Sequence, residues 1–397
     1  ALAMRMAATS LSDSLLKKVN DPIKDSFDAT VVPVVRGGIL ALNGVRAVQT
    51  FKDPEATGLD KFMDVTRVAS DLVGFVGGLA VLTSAAHADL GRSLAFYEGV
   101  VGLRVLERAG GTALLGAHGD DGPLVGLAER PGARPAPRRG RLGLFHVAYL
   151  LPTRADLARF VRHLAETGER PGMSDHLVSE AVYLTDPDGL GIEVYADRPR
   201  ATWRTVGGQI AMATRPLDVQ DLLRAAEGTR WTGAPEGTRV GHVHLQVGDL
   251  GAAEAFYHEA LGLDKVVWGY PGALFLSAGG YHHHIGLNTW QSRGGGPPAP
   301  GTTGLFHVAI RYPDRATLAD ALRRLVGARV PLDGAADHGV SEALYLRDPD
   351  GNGVELTWDR PREEWPRRPD GTLAMGTEAL DLGALLAEAD DPGRGTG

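Results

Sequence analysis

The chain has 397 residues, long for a single hydrophobic core, so more than one domain is expected. Apolar residues at 43% and charged residues at 23% are those of an ordinary globular protein, and a net charge of −8 argues against a nucleic-acid partner. No cysteine is present, which removes disulfides, thiolate metal sites and thiol nucleophiles, so any metal must rest on His, Asp or Glu.

Residues 1–75 contain "SLSDSLLKKVNDPIKDSF" and "DPEATGLDKFMDVTRVASDLVG". Both suit amphipathic helices, so an N-terminal helical extension of unknown role is expected, packed on the body or on a second subunit. "LVGFVGGLAVLTSAA" (72–86) is apolar but shorter than the roughly 20 residues that a bilayer demands. With no secretory signal visible, no membrane partner and a cytoplasmic location are expected. The densest basic run, "RPGARPAPRRGR" (130–141), is Pro-rich and reads as a solvated loop.

The remainder is written twice. "DHLVSEAVYLTDPDGLGIEV" (175–194) and "DHGVSEALYLRDPDGNGVEL" (337–356) agree at 14 of 20 positions. "SLAFYEGVVGLRVL" answers "AEAFYHEALGLDKV", and "GLFHVAY" answers "GLFHVAI". Two units follow, 76–226 and 238–388, joined by the linker "GTRWTGAPEGTR". Within each, the period changes from 2 to 3.6 and back. "HVHLQV" alternates as a strand, Asp249 caps the helix of "LGAAEAFYHEALGL", "FHVAIRY" is a strand before the helix "RATLADALRRLVG", and "RDPDGN" turns between "SEALYL" and "GVELTW". The fold class is therefore α+β: tandem βαβββ modules paired into two half-closed barrels.

In the second unit, His242 and His307 open two strands and Glu355 lies on the last. Two imidazoles and one carboxylate can form a facial triad, which holds a divalent metal and leaves positions open for substrate and a small gas. "GHVHLQVGDLGAAEAFYHEALGL", "GYHHHIGLNTW", "GLFHVAI" and "DHGVSEALYLRDPDGNGVEL" resemble the two-domain extradiol ring-cleavage dioxygenases, catechol 2,3-dioxygenases of the vicinal-oxygen-chelate superfamily. Both units carry the resemblance.

The resemblance implies iron(II) on His242, His307 and Glu355, with manganese(II) able to fill the same ligands. His283 would be the acid–base histidine near dioxygen, and His338 and Tyr345 would flank a bound catechol. An aromatic diol and dioxygen would be the substrates, and a homo-oligomer is expected. If 281–287 is a strand, His282 and His284 face one way and His283 the other; His244 shares the face of His242. Trp268, Phe275, Trp290 and Trp358 are candidates to narrow the pocket. The first unit keeps His146, Glu193, His176 and Tyr183, but has Leu82 where the second has His242, and Pro123 where it has His283. The first domain is therefore expected to be non-catalytic and the second to hold the metal. Three rival readings are a glyoxalase-like isomerase or epimerase, a metal-free binding protein, and a ring-cleaving homologue that acts on a substituted catechol in a biosynthetic route, with plain catechol a poor substrate. The first would want a fourth, carboxylate ligand where Gly286 stands; the second would lack the ligands.

Overall fold

The computed structural model describes residues 80–389, apart from 136, 138, 139, 227, 370, 372, 373 and 375. The helical extension expected over 1–75 lies outside the described residues. Four modules follow. The first has β1 (Ala80–His87), α1 (Leu90–Phe96, continued by a π turn Tyr97–Val101), β2 (Arg104–Ala109), β3 (Thr112–Gly116) and β4 (Pro123–Glu129). The second has β5 (Gly143–Leu150), α2 (Arg154–Thr167), β6 (Gly172–Asp175), β7 (Ser179–Thr185) and β8 (Gly191–Asp197). Short pieces β9 (Thr205–Val206), β10 (Gln209–Ile210), β11 (Arg215–Pro216) and α3 (Val219–Arg224) lead to the third: β12 (Arg239–Gln246), α4 (Leu250–Glu254), β13 (Asp264–Val267), β14 (Ala273–Ser277) and β15 (Ile285–Asn288). The fourth has β16 (Gly304–Arg311), α5 (Arg315–Ala328), β17 (Leu332–Asp337), β18 (Ser341–Arg347) and β19 (Gly353–Asp359), then β20 (Glu378–Ala379) and α6 (Leu382–Ala389).

The α+β module expected from the periods is present four times. Asp249 caps its helix as expected, accepting from the Ala252 amide at 2.8 Å, and Thr153 and Asp156 form a reciprocal capping box on α2.

The repeats do not fold as separate sheets. One nine-stranded sheet has the order β2-β3-β4-β1-β16-β19-β18-β17-β20, and the other β11-β6-β7-β8-β5-β12-β15-β14-β13. Each joins a module of the first unit to a module of the second, through the antiparallel pairs β1–β16 and β5–β12. The four modules present equivalent first strands, so the local hydrogen bonding is the same for either pairing. The loops joining consecutive modules accompany the crossed arrangement: they run side by side, bridged at Arg134–Thr302 and Arg141–Gly296.

The repeated phrases have identifiable work. Tyr97 donates to Asp186 (3.3 Å) and Tyr257 to Asp348 (3.0 Å), tying each unit's first helical segment to the Asp-Pro-Asp-Gly turn of its second module. Those same aspartates accept backbone amides from their own turns, at 2.8–3.0 Å. Gly191 and Gly353 begin β8 and β19 because a Cβ there would run into the carbonyls of Phe145 and Phe306. One apolar core, from Ala85 to Leu386, fills the space beneath both sheets and their helices. No helix among the described residues is long and apolar enough to cross a membrane.

Candidate metal centre

On β5 and β12 the strands run antiparallel, with His146 opposite His244 and Ala148 opposite His242. The register shifts near Gly241 and near Phe145, so a bulge lies close to each histidine and re-aims its side chain into the barrel. Glu193 projects from β8, two residues beyond the partner of His146. The three groups converge: His146 Nε2 to Glu193 Oε2 is 3.0 Å, His146 Nε2 to His242 Nε2 is 3.2 Å, and His242 Nε2 to Glu193 Oε2 is 3.3 Å. All three residues are buried.

Two ring nitrogens and a carboxylate oxygen facing one point cannot all be satisfied by shared protons. A cation satisfies them together. Ligands about 2.1–2.2 Å from an ion, at right angles to one another, stand about 3.0–3.1 Å apart, close to the observed triangle. Burial pushes the His242 pKa down to about 4, keeping its ring neutral. Burial would raise the Glu193 carboxyl, but His242 and His146 outweigh it and hold it well below the usual range. His242 and Glu193 are thus in their metal-binding forms at neutral pH.

This set differs from the expected one. His307 and Glu355 do meet, at 3.1 Å, but on the other sheet. There His338 contacts Tyr345 at 3.0 Å and Tyr345 donates to Glu355 at 3.4 Å. The position equivalent to His242 beside them is Leu82, which pairs with Ala309 on β16. His242, His307 and Glu355 are therefore not brought together. The cause is the cross-pairing: each barrel takes its first ligand strand from the opposite unit, so the second unit's His242 completes the first unit's His146 and Glu193. On the same ground, the second unit does not by itself bring its three expected ligands together.

Around the triangle stand the first-unit counterparts of His338 and Tyr345. His176 Nδ1 donates to the Ala213 carbonyl (2.8 Å), which leaves Nε2 to accept from the Tyr183 hydroxyl at 2.5 Å. Tyr183 sits opposite Glu193 on the neighbouring strand. Burial, and then Glu193, raise its pKa well above the ordinary value.

His283 does reach the site, its ring 4.0 Å from that of His242. The run 281–284 is irregular and precedes β15, so the expected alternation does not apply; all three histidines are buried. His284 turns to Ser277 (3.1 Å), while His282 links Asp197 to His283, with Nε2 2.9 Å from Asp197 Oδ1 and Nδ1 2.7 Å from His283 Nδ1. With Nε2–H given to Asp197, His282 Nδ1 accepts from His283. The lone pair of His283 is then on Nε2. Burial, with His242 and His282 adding to it, pushes the His283 pKa well down.

A cavity of about 440 Å³ opens over these groups. His146, His242, Glu193, His176, Tyr183 and His283 line it. Phe275 and Trp290 also line it, as expected, whereas Trp268 is exposed and Trp358 belongs to the other sheet. His244 does share the cavity face, its ring 5.0 Å from that of His146. Gly286, the mate of Glu193 in the third module, pairs with His244, and a Cβ there would come within 2.9 Å of the His244 ring. Asp197 carried no sequence signal, and the basic run expected to be a solvated loop ends in Arg141, which is buried and lines the cavity. The repetition of His146, Glu193, His176 and Tyr183 was the signal available for the rest.

Residues 81–194 and 239–356 match the model of the Glyoxalase/Bleomycin resistance protein/Dioxygenase superfamily. The chain is 44% identical over 264 residues to the catechol-2,3-dioxygenase of Bacillus subtilis (strain 168), covering 66% of this chain and 90% of that one. It is 39% identical over 127 residues to the biphenyl-2,3-diol 1,2-dioxygenase 3 of Rhodococcus globerulus, 30% of this chain and 63% of that one. A solved structure from Bacillus subtilis subsp. subtilis str. 168, described as a dioxygenase, superposes with a TM-score of 0.53 at 19% identity over 72% of this chain and 87% of that one, a likeness of fold.

Proposed function

Because the chain belongs to the Glyoxalase/Bleomycin resistance protein/Dioxygenase superfamily and is a metal-dependent enzyme of its extradiol dioxygenase kind, we propose that it opens the ring of a catechol with dioxygen. Iron(II) would be held by His146, His242 and Glu193. The observation that carries this is the convergence of three buried donor atoms within 3.0–3.3 Å of one another. The relatives named for catechol and for biphenyl-2,3-diol supply the substrate class. When bound, the iron would supply open positions for the diol oxygens and dioxygen and draw electron density between them.

The chain's own groups do the rest. His283 Nε2 takes the diol proton, and the positive charge that develops on the His283–His282 pair is stabilised by the Asp197 carboxylate. The Tyr183 hydroxyl faces the same space, and its proton, held on His176 Nε2, turns to a diol oxygen as charge develops there. Phe145 and Phe275 wall the cavity and exclude water from the ring. The isomerase reading loses its fourth ligand at Gly286, where the buried His244 fills the room a carboxylate would need.

The test is anaerobic loading with iron(II), then catechol and air, following dioxygen uptake and the yellow ring-fission product. Uptake in the wild type and its loss in Glu193→Gln support the reading. A loaded protein that consumes no dioxygen with catechol or a range of substituted catechols overturns it.

A further inference from the structure

At the end of the cavity away from the metal ligands lies a charge with nothing to meet it. Arg141 is 5% exposed and lines the cavity, and its Nε and Nη1 are buried without a hydrogen-bond partner. No carboxylate among the described residues pairs with it. Burial alone lowers its pKa, with no neighbouring acid opposing the shift. A guanidinium keeps its proton under all ordinary conditions, so the charge is permanent and its burial without a partner is unfavourable. Side-chain salt bridges elsewhere do pair their arginines, Arg154 and Arg198 with Glu180, for example. Arg141 is the exception inside the cavity.

Its position sets what it could hold. Arg141 Nη1 lies 3.6 Å from where a Cβ would stand on Gly143, and Gly143 is the strand partner of Gln246. Gln246 Oε1 is likewise buried without a partner. His242, His244 and Gln246 alternate along one face of β12 and Gly143 lies three residues before His146 on β5, so the guanidinium end lies about 10–13 Å along the strands from the two histidine ligands. Phe145 and Trp290 line the space between.

We infer that Arg141 is a specificity residue that binds a carboxylate carried on a side chain of the aromatic diol, several bonds from the ring. A planar, two-oxygen anion matches the planar fork of the guanidinium. The inference rests on the ring-cleavage reading for the diol and on the cavity's own geometry for the anion.

The experiment compares a catechol bearing a propanoate side chain with its propanamide. Binding to the iron-loaded full chain is measured anaerobically by titration calorimetry, so turnover is not needed. The wild type is expected to bind the acid about tenfold or more tighter than the amide, as a charge-assisted bidentate contact would give. Arg141→Met should bring the two within about twofold, and Arg141→Lys should retain part of the preference. The ligand-free Arg141→Met protein should melt no lower than the wild type, which a merely structural arginine would not allow. Arg141→Gln carries the same comparison if the Met variant fails to fold. Equal affinities in the wild type, or an acid preference that survives Arg141→Met, would overturn the inference. An acid preference with no dioxygen uptake from either compound would uphold the anion site while refuting ring cleavage.

Discussion

Replacing Asp197 by Asn tests whether the buried histidine pair acts as one unit. Asp197 Oδ1 accepts from His282 Nε2 at 2.9 Å and from Tyr281 Oη at 3.2 Å, and His282 in turn meets His283 at 2.7 Å. A hydrogen bond to a charged group is worth about 1.5–3 kcal/mol and a neutral one about 0.5–1.5, so losing the carboxylate's charge at these contacts costs about 1–1.5 kcal/mol. That loss falls when positive charge develops on the pair, so it belongs to the transition state, and about tenfold in kcat is expected with KM little changed. Reversal of the tautomer would go further, because an Asn amide that donates to His282 leaves His283 Nε2 protonated and unable to take the diol proton. Asp197 is a positioning residue here, so iron content should stay at the wild-type level. The assay is steady-state dioxygen uptake with catechol across a pH series, with metal analysis of the same samples. A kcat within twofold of wild type, at full iron content, would show that Asp197 does not support His283.

Tyr257→Phe removes a 3.0 Å hydrogen bond to the buried Asp348 and should cost about 2 kcal/mol. For the roughly 300 described residues that is a melting shift of about 3 °C by calorimetry, and no change in melting would refute the tether. Gly286→Ala presses a methyl to within 2.9 Å of the buried His244 ring, so a loss of about 1–3 kcal/mol is expected in chemical denaturation; a neutral result would mean that His244 can yield. Burial depresses the pKa of His242 to about 4 and of His284 to about 3, and lowers those of His244 and His283 well below normal. The unfolded chain takes these protons near pH 6.5 and the folded chain does not. The metal-free protein should therefore keep its full stability above about pH 6.5 and lose it as pH falls towards 4, each group adding at most about 1.4 kcal/mol per pH unit. Denaturation midpoints that stay flat over that range would contradict this.

The modules were legible because their periods are local. The alternation of "HVHLQV", the Asp249 cap and the Asp-Pro-Asp-Gly turns each depend on residues within a few positions. Which module pairs with which is not local. Four first strands of similar pattern offer the same ladder to any partner, and nothing in "GLFHVAY" or "GLFHVAI" says which sheet it enters. The metal triangle inherits that ambiguity. The sequence offers two histidines and a glutamate on three strands, but Glu193 and Glu355 are interchangeable in sequence and lie on different sheets in space. His283 was reachable because its neighbour in the site, His242, belongs to the same module. Arg141 was not, because a basic, Pro-rich run looks solvated until the loop that carries it is seen to turn its last residue inward.

The central proposal is a metal site completed across the two repeats. The most direct measurement is iron(II) stoichiometry and dioxygen uptake with catechol for two variants side by side, His146→Gln and His307→Gln. His146→Gln should lose tight iron binding and uptake, since it removes one of three converging donors. His307→Gln should keep one iron and substantial uptake, since its pair with Glu355 lies on the other sheet. Iron and activity retained in His146→Gln but lost in His307→Gln would contradict it and return the metal to the second repeat alone.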